Sequence, residues 1–346
     1  MNFEATHDVG IRRLERLWKR GKDFLGTEYA IMGGAMTWIS DRTLVSAISN
    51  AGGFGVIACG SMTTGLLETE IRETFKLTNK PFGVNLITLH PDIDKLIDVC
   101  LENKVSHIVL AGGLPPGGSI KKIKAGGALV VCFTPALSLA RKLIRSGCDA
   151  LVIEGAEAGG HIGPVSTAVL AQEILPHITE VPIFVAGGIG RGEAVASYLQ
   201  MGASGCQMGT RFVCAEESPA HANFKKAFCR ASARDAVPSV QLDARFPVIP
   251  VRAIKNQASA LFLDYQRQTI ERFQAGEFTQ KEAQLEIEKY WAGALRRAVI
   301  DGHVEDGSLM AGQSVGMVKE EQPIEDIMND LVTQAWVFLE HASKLP

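Results

Sequence analysis

The stretch DALVIEGAEAGGHIG, residues 149–163, joins a short apolar run to a loop that is rich in glycine. The run is continuously apolar rather than alternating, which is typical of a strand buried on both faces. The glycines that follow it mark a turn at the end of that strand. The stretch therefore predicts a parallel strand of an α/β fold.

The same pattern of an apolar run that ends in a turn-forming residue recurs along the first 210 residues. The eight runs cover residues 28–34, 54–60, 81–87, 105–113, 128–133, 149–155, 182–188 and 204–210. Stretches with helical spacing, such as HPDIDKLIDVCLEN and ALSLARKLIRSG, lie between them. Eight such units predict an α/β fold of the (β/α)8 TIM barrel type. A doubly wound open sheet is the alternative.

The chain changes character on either side of the predicted barrel, which we assign to residues 27–214. Residues 215–310 lose the strand pattern and predict a helical subdomain that walls or covers the substrate, inserted near the C-terminus. Residues 311–346 predict a segment and an amphipathic helix that return to the barrel. Residues 1–26 predict a helical extension. Its basic residues also fit a membrane-surface or targeting helix, but its four acidic residues favour packing on the protein.

Composition excludes several classes of protein. With 346 residues, 46% of them hydrophobic, the chain can bury a large core. A net charge of -3 does not indicate the basic surface that nucleic-acid binding requires. The seven cysteines are scattered without a C-x-x-C pair, which predicts a reducing, cytoplasmic setting. The sequence has no apolar stretch of 18 residues, so we expect no membrane span. It also has no His, Asp or Glu residues clustered at the spacing of metal ligands, so we expect no catalytic transition metal.

Two glycine-rich loops follow the seventh and eighth runs, where TIM barrels commonly hold a phosphate group. Gly187 and Gly188 would let the backbone approach an anion, and the next helix would direct free N–H groups at it. Gly209 and Thr210 would add an N–H group and a hydroxyl. The alternative is that these glycines only form tight turns.

The flat body of such a ligand needs further contacts at the barrel mouth. GGAMTW, residues 33–38, offers small residues and backbone groups after the first run, and Asn85 offers an amide at the end of the third. Glu154 ends the sixth run, where its carboxylate could accept from a ligand hydroxyl or a ring N–H. Turn capping by Asn85, and N–H capping or an arginine pair for Glu154, are the alternatives.

His161 is the leading acid-base candidate. It follows the sixth run on the predicted ligand-binding rim, and Gly159 and Gly160 leave room beside it. A structural role is the alternative. His221 and His303 fall in the helical subdomain and could also approach the site.

These motifs resemble those of a flavin-dependent group that joins the nitronate monooxygenases, formerly 2-nitropropane dioxygenases, with the flavin-type enoyl-acyl carrier protein reductases II. The resemblance extends from about residue 26 to 335 and is closer to the enoyl reductases. It is carried by GGAMTW, NAGGFGVIACG, KPFGVN, EGAEAGGHIG, AGGIGRG, MGTRFV, VRAIKNQ and DGSLMAGQSVGMV. One difference is that Gly33, Gly34 and Ala35 stand where similar sequences often have Gln-Gly-Gly.

The resemblance implies an FMN-binding barrel with His161 beside the substrate. It implies that Met36 and Thr37 lie along the flavin, that Asn85 meets its polar edge, and that Gly312 and Gln313 approach the ring. The phosphate would lie on the two glycine loops. The full set of predicted cofactor-binding residues is Ala35, Met36, Thr37, Asn85, Glu154, Gly159, Gly160, Gly187, Gly188, Gly209, Thr210, Gly312 and Gln313.

The resemblance implies two reactions on the same barrel. In the first, NADH or NADPH drives reduction of a trans-2-enoyl thioester, carried on acyl carrier protein or CoA, in fatty acid synthesis. A monovalent cation near residues 251–256, a possible homodimer and basic contacts to the acidic carrier belong to this interpretation. The candidate basic residues, which could also be solvated surface charges, are Arg252, Lys255, Arg296 and Arg297. In the second, an alkyl nitronate is oxidised with O2. A flavin-binding protein without turnover is a further alternative.

Overall fold

The computed structural model describes residues 3–342, without the side chains of residues 3–8, 288 and 292. Eight parallel strands form one sheet in the order β1-β9-β8-β6-β5-β4-β3-β2, and a bridge between Met32 and Phe54 closes it into a barrel. The predicted TIM barrel is confirmed. The barrel strands are β1 (Ile31–Gly33), β2 (Gly55–Ala58), β3 (Phe82–Ile87), β4 (His107–Ala111), β5 (Leu129–Phe133), β6 (Ala150–Glu154), β8 (Ile183–Ala186) and β9 (Gly205–Met208).

Seven helices follow the strands in alternation and cover the outside of the barrel. Capping by Asp41, Thr63 and Ser166, each with a side chain that accepts from the first turn, fixes where three of them begin. The helices are α2 (Arg42–Asn50), α3 (Thr64–Leu77), α4 (Ile93–Glu102), α5 (Ser119–Ala125), α6 (Leu137–Arg145), α7 (Thr167–Ile174) and α8 (Gly192–Gln200).

The eighth helix position is filled from the far end of the chain. After β9 the chain makes a short 3-10 turn at Thr210–Phe212 and continues into α9 (Ala222–Arg230), away from the barrel position. The C-terminal helix α12 (Ile324–Ala342) instead packs against both α8 and α2. Gly192, at the start of α8, lies so close to Leu331 that no side chain would fit between them. The C-terminal helix thus lies against the barrel.

The N-terminal helix α1 (Phe3–Leu25) closes the bottom of the barrel. The Phe24 ring contacts His107 of β4 at 5.1 Å and Phe184 of β8 at 6.2 Å between centroids. Two strands separate β4 from β8 in the sheet, so one ring can reach both only from inside the barrel. His107 and Phe184 therefore point inward, and Trp18 on the same helix is 1% exposed. The helix packs on the protein rather than offering its apolar face to a membrane.

The region from 215 to 310 is not purely helical, and the expectation that it loses its strands was wrong. Strands β10 (Ala236–Pro238) and β11 (Val251–Ile254) form an antiparallel sheet with β7 (Gly160–His161) from the loop after β6. These strands are too short to leave a pattern in the sequence. Helices α10 (Gln257–Gln274) and α11 (Gln280–Val299) pack on a core of their own around Phe246, Phe262 and Trp291.

All seven cysteines are free thiols. Within residues 3–342, no helix combines the length and apolarity needed to cross a membrane.

Candidate active site

Four segments meet at the rim formed by the carboxyl ends of the strands. Gly312 donates its N–H to Thr210 Oγ1 at 2.9 Å, and Gln313 donates to the Glu157 carbonyl at 2.9 Å. Gly34 donates to the Met208 carbonyl at 2.8 Å. The loop after β1, the loop after β6, the loop after β9 and the C-terminal segment are therefore in direct contact.

The loops after β8 and β9 present backbone N–H donors for which the described residues offer no acceptor. Gly187 and Gly188 have φ of +95° and +73°, a left-handed backbone that favours glycine. Within the part of the chain that the structure describes, their N–H groups and those of Gly209 and Thr210 donate to no protein acceptor. Because β8 and β9 are neighbours, these donors lie on adjoining loops. This arrangement fits an anionic group such as a phosphate.

The first turn of α8 is tied to the C-terminal helix. Its first N–H, that of Gly192, donates to Gln334 Oε1 of α12 at 2.9 Å instead of pointing at a ligand. The helix that fills the eighth barrel position thus occupies this terminus.

Three polar side chains face the inside of the barrel near its mouth. Asn85 pairs in register with Val109, two residues beyond the inward-facing His107, and Glu154 pairs with Ala186, two residues beyond Phe184. Gln207 pairs with the other side of Ala186. Side chains alternate along a strand and in-register partners share a face, so all three point inward.

The positions of these residues differ in part from the expectation. Asn85 is the fourth residue of the six in β3 rather than its end, and its Nδ2 makes a long bond of 3.4 Å to the Val109 carbonyl. Gln207 was not predicted, although a glutamine within the run SGCQMGT is the same signal that Asn85 gives in PFGVNLI. Burial raises the pKa of the Glu154 carboxyl to about 7.

The loop after β1 lies between the loop after β9 and the end of β2. A Cβ added at Gly209 would come within 3.3 Å of Met36 Sδ, and one added at Gly60 would come within 3.3 Å of Thr37 Oγ1. Met36 donates its N–H to Ser40 Oγ at 2.9 Å, which fixes the turn. Ala35, Met36 and Thr37 are thereby placed along one side of the mouth.

His161 is held by strand pairing rather than by a free loop. It pairs with Val251 of β11 and its side chain is exposed. Gly160, with φ of +77°, turns the chain into β7, and Gly159 packs so closely on the C-terminal segment that a Cβ would lie 2.6 Å from Gly312 N. The predicted acid-base residue thus stands on the barrel rim, fixed by the inserted subdomain.

The model of the nitronate monooxygenase family matches residues 19–95 and 92–334. The chain belongs to this family. It is 35% identical to FabK from Thermotoga maritima, a structure it matches with a TM-score of 0.84 over 94% of this chain and 98% of that one.

Two curated relatives of this family member are named for different reactions. A (3aS,4S,5R,7aS)-5-hydroxy-7a-methyl-1-oxo-octahydro-1H-indene-4-carboxyl-CoA dehydrogenase of Rhodococcus jostii is 28% identical over 90% of this chain and 94% of the relative. A probable nitronate monooxygenase of Bacillus subtilis is 26% identical over 90% and 96%. The chain is therefore an oxidoreductase of a flavin-dependent family.

One basic residue expected at the mouth of this family member is buried instead. Arg252 is 8% exposed, and it donates from Nε to the Ala156 carbonyl at 2.8 Å and from Nη1 to the Ala236 carbonyl at 2.6 Å. It therefore joins the subdomain sheet to the loop after β6, and the prediction that it meets a carrier protein was wrong. Nothing in the local sequence distinguishes a buried arginine from an exposed one.

The other basic candidates remain near the surface. Arg296 pairs with Asp301 at 3.0 Å and lies 5.9 Å from the Trp38 ring, and Arg297 donates to the Asp306 carbonyl at 3.2 Å. Lys255 is exposed.

Glu157 is a second residue that the sequence analysis missed. Its Oε2 accepts from Thr167 N at 2.8 Å and Thr167 Oγ1 at 2.9 Å, which ties the loop after β6 to α7. Its Cβ lies where a side chain at Gly188 would have to go, at 2.9 Å. Glu157 thus holds together the loops that carry His161 and the free donors.

Two histidines of the inserted region, His221 and His303, have partners on their own segments. His221 Nδ1 accepts from Asn223 N at 3.1 Å and caps α9, and His303 lies 3.6 Å from Asp306 on the subdomain. Among the residues with described side chains, no group of three or more His, Cys, Asp or Glu could hold a metal ion.

Proposed function

We propose that this protein is an FMN-dependent reductase of trans-2-enoyl thioesters that uses NADH or NADPH. The observation that carries the proposal is the similarity to FabK of Thermotoga maritima, an enoyl-acyl carrier protein reductase II, at 35% identity over nearly the whole chain. The curated relatives that name other reactions are 26–28% identical.

The residues present fit FMN. The four free N–H groups of Gly187, Gly188, Gly209 and Thr210 suit its phosphate, and the inward-facing Gln207 comes two residues before Gly209. Bound FMN supplies hydride-transfer chemistry. The residues proposed around its ring and chain are Ala35, Met36, Thr37, Asn85, Glu154, Gly159, Gly160, Gly312 and Gln313.

His161 is the proposed proton donor. The net reaction moves a hydride from NAD(P)H to the β-carbon of the thioester and a proton to the α-carbon, which leaves NAD(P)+ and the saturated product. An exposed imidazole on the rim can reach a substrate that enters the mouth, and the pairing of β7 with β11 fixes its position. Deprotonated His161 would be restored from solvent.

The thioester would enter between the rim and the inserted subdomain. Arg296 of α11 lies near Trp38, which belongs to the loop after β1. The subdomain therefore forms one side of the barrel mouth. We propose an acyl carrier protein or CoA thioester as substrate, a homodimeric assembly, and a monovalent cation near residues 251–256.

Oxidation of alkyl nitronates with O2 is the second candidate. It is favoured by the family model and by the Bacillus subtilis relative that matches over 90% of the chain. His161 would then act as the base that deprotonates a neutral nitroalkane. Both candidates use the same rim.

Anaerobic mixing of the FMN-loaded protein separates the candidates. Prompt bleaching of the flavin absorbance by NADH or NADPH, followed by reoxidation with crotonyl thioester, is the result expected of the reductase. Bleaching by an alkyl nitronate without any nicotinamide would instead establish the nitronate reaction. A flavin that neither reagent bleaches would overturn both and leave a non-catalytic flavin-binding protein.

A further inference from the structure

Two thiols meet where the end of the barrel contacts α9. Cys214 follows the 3-10 turn at Thr210–Phe212, and Cys229 belongs to α9. Their sulfur atoms lie 3.9 Å apart, with the Cys229 thiol donating to Cys214 Sγ. The Cys214 thiol in turn donates to the Lys225 carbonyl of the same helix at 3.5 Å. A disulfide joins its sulfurs at about 2.05 Å, so these two atoms would have to approach by about 1.9 Å.

The two thiols differ in their access to solvent. Cys229 is partly exposed, whereas Cys214 is 1% exposed and the other five cysteines are buried as well. Burial raises the pKa of the Cys214 thiol more than the nearby Lys225 ammonium lowers it, so this thiol stays protonated. Because oxidation of a cysteine follows its exposure and its thiolate character, a small oxidant in solvent should react with Cys229 first.

The two segments also differ in how firmly they are held. The Cys214 carbonyl accepts from Gln322 N at 3.3 Å, and Glu216 N donates to the Gln322 carbonyl at 3.0 Å. Cys229 is the last residue but one of α9 (Ala222–Arg230), and helix ends fray. The end of α9 can therefore move towards Cys214 while the barrel segment stays in place.

A second pair of thiols lacks this access to solvent. A hydrogen bond to the Cys148 thiol, together with burial, raises the pKa of Cys132. Cys132 and Cys148 are 1% and 4% exposed. Neither offers a thiol that an oxidant in solvent can reach, so this pair is a control within the same chain.

We propose that Cys214 and Cys229 form a reversible disulfide when the protein meets hydrogen peroxide. The Cys229 sulfur attacks one peroxide oxygen, the O–O bond breaks, and a sulfenic acid and water result. The Cys214 sulfur then attacks the Cys229 sulfur, the S–O bond breaks, and the hydroxyl leaves as water with the Cys214 proton. Two thiols and one peroxide thus give one disulfide and two waters. Cys214 thereby protects Cys229 from irreversible oxidation.

Mass spectrometry of the full chain after treatment with hydrogen peroxide tests this proposal. We expect the wild type to lose two hydrogens and two of its seven free thiols. Proteolysis should then yield one crosslinked product that contains both Cys214 and Cys229. Dithiothreitol should restore both thiols, because a disulfide is reversible.

Three variants assign the steps to the two residues. Cys229→Ser should lower the rate of thiol loss at least about tenfold, since the remaining thiols are buried. Cys214→Ser removes the second thiol, so Cys229 should gain oxygen that dithiothreitol no longer removes completely. Cys148→Ser alters only the buried control pair and should form the same disulfide as the wild type. Cys229→Ser changes a partly exposed side chain, so its comparison with the wild type stands even if Cys214→Ser fails to fold.

A wild type that stays unreactive, a disulfide between other cysteines, or a crosslink between two chains through Cys229 would overturn the inference. Gain of oxygen by the wild type without loss of two hydrogens would overturn it as well, and so would equally fast thiol loss in Cys229→Ser. None of these measurements involves the flavin, so a failure of the proposed FMN site is distinguishable from a failure of this inference.

Discussion

The two sides of the barrel mouth use glycine in opposite ways. The packed side consists of residues 154–161, 187–190, 209–212 and 310–314. On this side, a Cβ added at Gly312 would lie 2.7 Å from the Glu157 carbonyl oxygen. On the open side, residues 88–92 and 112–118, Gly113 and Gly117 have no atom within 4 Å of an added Cβ. Leu89 and Leu114 there are 79% and 50% exposed.

The difference shows that glycine-rich composition alone does not mark a binding site. On the packed side, the absence of side chains lets four backbone segments touch and leaves N–H groups facing the mouth. On the open side, Gly113 and Gly118 supply a left-handed backbone to a loop that little else restrains. The proposed cofactor and His161 belong to the packed side, which is the better preorganised one.

The sharpest test of the comparison replaces one glycine on each side. Gly159→Ala would put a methyl group 2.6 Å from backbone atoms of Ala311 and Gly312. We expect it to lower the free energy of unfolding by about 3 kcal/mol and to weaken FMN binding at least about tenfold, because the C-terminal segment must move. Chemical denaturation and flavin titration measure the two effects.

Gly117→Ala is the matched control, since its φ is not left-handed and its surroundings are open. We expect its free energy of unfolding to change by no more than about 0.5 kcal/mol. A similar loss of free energy of unfolding in the two variants would contradict the view that only one side of the mouth is tightly packed.

The next largest effect concerns the chemistry assigned to the packed side. His161→Ala should lower turnover of the thioester about 10²- to 10⁴-fold while FMN affinity stays within about twofold, because the imidazole supplies a proton rather than a cofactor contact. Steady-state rates and flavin titration give both values. His303→Ala, at an exposed histidine of the subdomain, should keep full turnover. Full turnover of the His161 variant would exclude the acid-base role.

Glu154→Gln tests the electrostatics of the packed side. Burial raises the pKa of Glu154 from 4.5 to about 7, so between these values the folded flavin-free protein retains a proton that the unfolded chain has released. The free energy of unfolding should therefore fall as the pH rises through this window. The variant should match the wild type near pH 5 and exceed it at pH 8 by about 2 kcal/mol.

Urea denaturation of the flavin-free proteins at the two pH values measures this difference. A variant with the same pH dependence as the wild type would show that the Glu154 carboxyl is already ionised in the folded barrel.

The smallest effect is expected on the open side. Leu89→Ser alters a side chain that is 79% exposed and should change the free energy of unfolding by no more than about 0.5 kcal/mol. Leu86→Ala, three residues earlier in the buried strand β3, should cost about 3 kcal/mol. Thermal unfolding of both variants makes the comparison, and a loss of similar size at Leu89 would mean that the open side is covered in solution.

The barrel could be predicted from the sequence because its signals are local. Each observed barrel strand lies inside one of the apolar runs, since a parallel strand buried on both faces consists mostly of apolar or small residues. The glycine loops after β8 and β9 were predictable for the same reason.

What could not be predicted depends on contacts between distant segments. The pairing of His161 with Val251, and the bond from buried Arg252 to the Ala156 carbonyl, each join parts of the chain about 90 residues apart. Gln207 was missed because one polar residue in a short apolar run shows its direction only when the register is known. The role of α12 at the start of α8 is likewise invisible in either segment alone.

The position of α12 has a consequence for synthesis of the protein. All eight barrel strands have left the ribosome once Met208 has emerged, yet the groove between α8 and α2 stays exposed until residues 324–342 follow. The apolar groove between α8 and α2 therefore stays exposed on the nascent chain while the whole inserted subdomain is being translated. During this interval chaperones have a defined surface to protect.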